Sequence, residues 1–106
     1  MAGITTHVLD TANGRPAAGI LVTLAIHIDE WRTIGRGATD AEGRLRTLTD
    51  GIPLQQATYR LTFATGDYNG GFFPEVSIVF KVDEPNQHYH VPLLLSPVGY
   101  FTYRGT

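Results

Sequence analysis

The chain has no cysteine, so no disulfide braces it, and neither thiolate metal sites nor Cys-x-x-Cys redox chemistry is available. No apolar run approaches the ~20 residues that a membrane-crossing helix needs. Eight Lys and Arg stand against ten Asp and Glu, and the basic residues are scattered rather than clustered, which excludes an electrostatic nucleic-acid footprint. The opening Met1-Ala2-Gly3-Ile4-Thr5-Thr6-His7 lacks the basic stretch and apolar run of a secretory leader. Together these absences predict a cytoplasmic protein that engages neither membrane nor nucleic acid. No segment of helical length carries an apolar period of ~3.6 residues. Internal repeats and low-complexity tracts are missing too.

What is present suits one domain over residues 1–106, with 42% hydrophobic residues and twelve glycines. Apolar residues alternate with polar ones in short runs, and turn residues separate the runs. In residues 20–28, Ile20, Val22, Leu24, Ile26 and Ile28 form one face, and Leu21, Thr23, Ala25, His27 and Asp29 the other. Strands are likewise expected at 4–10, 31–39, 44–48, 57–65, 75–82, 88–95 and 98–103. Residues 11–16, with Asn13-Gly14 and Pro16, are expected to be a turn. About eight strands at this spacing predict an all-β two-sheet sandwich of immunoglobulin-like architecture.

Histidine and arginine are the candidates for chemistry. The four histidines are His7, His27, His88 and His90. His27 falls on the polar face of its strand and reads as a solvated side chain. His88 and His90 are two apart, so they share a strand face. His7 points away from the face that holds Thr6 and Val8. A zinc site would need a third ligand beside His88 and His90, and no acid closer than Glu84 precedes the pair. No metal is therefore expected. Arg44 follows the Glu42-Gly43 turn, and the chain closes on Tyr103-Arg104-Gly105-Thr106.

The run His88 to Ser96, His-Tyr-His-Val-Pro-Leu-Leu-Leu-Ser, followed by the closing Tyr103-Arg104-Gly105-Thr106, resembles the C-terminal signature of the transthyretin-like hydrolases, the 5-hydroxyisourate hydrolases of urate breakdown. Thr106 stands where the family pattern has serine. Thr6-His7-Val8-Leu9-Asp10, Gly43-Arg44, Gly66-Asp67-Tyr68 and Phe72-Phe73-Pro74-Glu75 extend the resemblance over nearly the whole chain.

The resemblance implies a transthyretin-like sandwich with one short helix after the fifth strand. Gly70 and Gly71 disfavour helix, so that helix is expected shortened or absent. It also implies hydrolysis of 5-hydroxyisourate to 2-oxo-4-hydroxy-4-carboxy-5-ureidoimidazoline without a cofactor. It makes His7, Arg44 and His90 the catalytic set, and Tyr103, Arg104, Gly105 and Thr106 substrate-binding together with His7 and Arg44. Homotetramers with the site at a subunit interface belong to the same implication.

The chemistry fits these residue types. Opening a flat anionic ring by water requires a base that works near neutral pH, and histidine, with an ordinary pKa of ~6.5, suits it. The charge that develops on the attacked carbonyl requires a fixed cation, and arginine stays protonated in a planar fork. Two other readings fit the strand count. A transthyretin-type small-ligand carrier would need a more apolar channel than these residues make. An immunoglobulin-like interaction module gives the closing tetrapeptide no purpose.

Overall fold

Alternation of side chains builds two sheets that close on one another. The structure, a computed structural model, describes residues 2–106. Met1, part of the leader reading and of the 1–106 span, lies outside the described residues. In chain order the elements are β1 (Gly3–Asp10), β2 (Arg15–Pro16), β3 (Leu21–Ile28), β4 (Glu30–Ala38), β5 (Arg44–Leu45), β6 (Ala57–Phe63), α1 (Gly66–Asn69), β7 (Val76–Val82), β8 (His88–Ser96) and β9 (Gly99–Thr102). One sheet has the order β2-β1-β8-β9, with β5 also pairing β1. The other has the order β4-β3-β6-β7. This is the expected all-β sandwich.

The core fills the space between the sheets. Ile4 and Val8 of β1 and Tyr89, Val91, Leu93 and Leu95 of β8 meet Val22, Leu24, Tyr59, Leu61, Phe63, Val76 and Val82 from the opposite sheet. Each fully buried aliphatic or aromatic side chain there contributes about 1.5–3 kcal/mol. Because period two holds over residues 4–10 and 88–91, the intervening residues there point outward. Thr5, His7, His88 and His90 are those residues, so core packing sets the direction of the site.

Several expectations need correction. Residues 11–16 are not turn throughout, because Arg15 and Pro16 form β2 against Asp10 and Leu9. The strand expected at 44–48 stops at Leu45. Leu48 instead turns into the core, where Gly35 leaves room for its backbone carbonyl. In β3 the register shifts between Leu24 and Ala25, Ala25 becomes buried, and Ile28 ends 48% exposed rather than inside. The short helix is reduced to the four residues of α1 and ends on Gly70 in the left-handed conformation.

Asp10 ties the far end of the first sheet together. Its carboxylate accepts from the Asn13 N–H and side-chain amide and from the Tyr68 hydroxyl at 2.7 Å. The Asn13 amide and then the Tyr68 hydroxyl hold its pKa down at about 2. The same bond pushes Tyr68 up.

Candidate active site

β1 and β8 run parallel, with Thr5 beside His90 and Gly3 beside His88. On the other side of β1, His7 pairs with Arg44 of β5. Three segments distant in sequence therefore place His7, Arg44 and His90 on one outward sheet face. A cavity of about 170 Å³ opens there, lined by Thr5, Thr6, Arg44, Arg46, His88, His90 and Thr106.

The turn before β5 organises the arginine side. Asp40 Oδ1 accepts from the N–H groups of Glu42 and Arg44. The Arg44 N–H, foremost, lowers the Asp40 pKa. Gly43 has φ +76°, and a β-carbon there would collide with the Val8 carbonyl. Its own carbonyl accepts from Val8 N–H at 2.8 Å. The same turn presents the Glu42 carbonyl 2.9 Å from His7 Nε2. A carbonyl only accepts, so Nε2 carries the proton and the neutral ring keeps its lone pair at Nδ1.

His90 is half-buried and its Nδ1 lies 2.8 Å from Thr5 Oγ1. Burial first, then the Arg44 guanidinium and the charges of His88 and His7, lowers its pKa from the ordinary value. These surroundings favour the neutral ring, and Nε2 is the nitrogen left for water or substrate.

The closing residues divide. β9 pairs β8 from Ser96↔Gly99 to Leu93↔Thr102. The ladder breaks where Pro92 has no N–H to donate, and Thr102 Oγ1 takes the Pro92 carbonyl at 2.8 Å. It resumes at Gly105, whose N–H donates to the His90 carbonyl at 2.8 Å. Thr106 thereby reaches the cavity. Tyr103 lies against Phe101, and Arg104 turns away to stack over Tyr89 and reach Gln87 Oε1 at 3.2 Å. Within one chain, then, Thr106 lines the cavity with Arg44 and His90 and Gly105 backs His90, while His7 pairs Arg44 on the same face outside the cavity lining. Tyr103 and Arg104 line a separate apolar groove with Ile78, Phe80 and Tyr89.

Sequence reasoning passed over Thr5, Arg46 and His88 as site residues. The parity that turns His7 outward also turns Thr5 outward, and that signal was available. In the strand expected at 44–48, Arg46 shares parity with Arg44, so the same signal was available there, although the strand itself stops at Leu45. His27, read as solvated, is exposed and packs its ring edgewise on Trp31. Among the described residues no group of three or more His, Cys, Asp or Glu is placed to hold a metal ion.

Residues 4–105 match the HIUase/Transthyretin family. The 5-hydroxyisourate hydrolase of Caulobacter vibrioides is 44% identical, and the match covers all of both chains. The uric acid degradation bifunctional protein TTL of Arabidopsis thaliana is also 44% identical over 97% of this chain, which spans only 37% of that longer protein. Among solved structures, 5-hydroxyisourate hydrolase of Klebsiella pneumoniae superposes with a TM-score of 0.88 at 35% identity, covering 100% of both chains. Transthyretin from Sparus aurata superposes with a TM-score of 0.91 at 28% identity over 99% of this chain and 97% of its own. The chain belongs to the HIUase/Transthyretin family.

Proposed function

We propose that the chain is a 5-hydroxyisourate hydrolase of urate degradation, acting as a single cytoplasmic domain in a homotetramer. The observation that carries the reading is the outward face on which a half-buried His90 shares a cavity with Arg44. Hydrolase relatives at this identity and coverage support the same activity.

The histidine pair His7 and His90 activates water. As the water oxygen bonds to a ring carbonyl carbon, its proton passes to a histidine nitrogen. Arg44 stabilises the oxyanion and anchors the anionic ring. Collapse of the tetrahedral intermediate breaks the C–N bond, and the ring nitrogen takes a proton from a histidinium. The net change is water added across a cyclic amide. Gly105 and Thr106 border the ring edge. Tyr103 and Arg104 complete the site through the subunit interface.

The β9 edge supports the assembly. It ends the first sheet unpaired on its outer side, with Val98 82% and Phe101 61% exposed beside Tyr100 and Tyr103. An edge strand with such side chains pairs readily with a second copy. Light scattering after size exclusion should give four times the chain mass.

The activity is tested by generating 5-hydroxyisourate in place with a urate oxidase and following its ultraviolet absorbance. The protein should accelerate the decay, and alanine at His7, Arg44 or His90 should each lower kcat/KM by about a hundredfold or more. A folded protein that leaves the decay unchanged would favour a small-ligand carrier instead.

A further inference from the structure

Thr5 makes two hydrogen bonds of equal length on the outward face. Its Oγ1 lies 2.8 Å from His90 Nδ1 and 2.8 Å from His88 Nε2. The register explains the bridge. Thr5 stands beside His90, and Gly3, beside His88, has no side chain to keep that ring from leaning across to Thr5. The two imidazoles are 6.3 Å apart between centroids, so the hydroxyl is their link.

A hydroxyl has one proton to give. If Thr5 donates to His90 Nδ1, His88 must donate its Nε2–H to Thr5. His90 then carries its proton on Nε2 and cannot accept one from water there. If His90 Nδ1–H donates to Thr5, Thr5 donates to His88 Nε2, and His90 offers a bare Nε2 to the cavity. Unlike the first arrangement, this one also suits His90 after it has taken a proton, because Nδ1–H continues to donate. A protonated His88 has no lone pair at Nε2, so Thr5 can only accept from it, and its freed hydroxyl proton can turn toward His90 Nδ1, which favours the first arrangement.

We propose that Thr5 is a positioning residue whose single hydroxyl proton couples the tautomers of His88 and His90, so that a neutral His88 favours the form of His90 that serves as base. This rests on the hydrolase reading of the same face. The charged and titratable groups around His90 are His7 from β1, Arg44 from β5, Arg46 just beyond it and His88 on its own strand, with Thr106 at the rim. The arginines hold their protons throughout, which leaves the histidines to set the acid response.

The test uses the whole chain with Thr5→Val, Thr5→Ser and His88→Ala. Loss of the hydroxyl in Thr5→Val should lower kcat about tenfold or more with KM unchanged, and Thr5→Ser should restore it. In His88→Ala the acid limb of log(kcat/KM) should become less steep, since the protonation of His88 that turns Thr5 toward the wrong His90 tautomer is gone. Nitrogen-15 NMR should find His90 in its Nδ1–H form in the wild type at neutral pH, and released from that form in Thr5→Val. Wild-type kcat and an unchanged His90 tautomer in Thr5→Val would overturn the proposal, as would an unaltered acid slope in His88→Ala. If the wild type fails to accelerate substrate decay, the hydrolase reading falls, while the NMR comparison still decides whether Thr5 sets the His90 tautomer.

Discussion

Gly105 holds His90 by its backbone and spares its ring. The Gly105 N–H donates to the His90 carbonyl, and a β-carbon at Gly105 would come within 2.7 Å of His90 Cδ2. Glycine is the residue that lets the closing segment lie against β8 without displacing the imidazole. In Gly105→Ala the ring must leave the position in which Nδ1 bonds Thr5. We expect kcat/KM to fall about 10- to 100-fold, as for a displaced catalytic group, with little change in Tm. Wild-type turnover would mean that the closing segment does not position His90.

Gly43 plays a comparable part for Arg44, but through the backbone. Its positive φ and its approach to the Val8 carbonyl leave no room for a side chain. Gly43→Ala should cost about 1–3 kcal/mol of stability, measured by urea unfolding, and should lose activity with it. Arg44→Lys should keep the fold yet remain impaired, since an ammonium cannot reproduce the planar fork.

Thr106 lines the cavity where the family pattern has serine. If its hydroxyl contacts substrate, Thr106→Ser should stay within about twofold of wild type and Thr106→Val should lose at least about tenfold in kcat/KM. Equal activity in the two would leave Thr106 a packing role.

The lowered pKa of His90 makes stability depend on pH. Folding favours the neutral ring. The contribution is complete above the ordinary histidine value of about 6.5 and is lost as pH falls through the lower folded-state value. Wild-type Tm should therefore fall further than that of His90→Gln between about pH 7 and pH 5. Parallel curves would show that His90 titrates as an ordinary histidine.

At the opposite end of the sheet, Tyr68→Phe removes one of the donors that hold Asp10 at about 2. The Asp10 pKa, followed by carbon-13 NMR, should rise but stay below the ordinary 3.8, because Asn13 still donates to both oxygens. An unchanged value would show that Tyr68 does not reach the carboxylate.

What the sequence determined by itself was local. Period-two alternation identified most strands and, in β1 and β8, told which histidines face outward, because a buried face dictates the parity of its strand. It failed where neighbours override alternation. Ile28, at the end of β3 beside the positive-φ Asp29, is 48% exposed, and Leu48 leaves its expected strand for the core. Resemblance, not periodicity, linked His7, Arg44 and His90. Only the tertiary structure decided that a parallel β1–β8 register sets Thr5 between two imidazoles, and that Arg104 turns to Tyr89 and Gln87 while Thr106 lines the cavity. Those outcomes depend on which strands become neighbours and in what register, and in a sandwich such pairings join residues more than eighty positions apart.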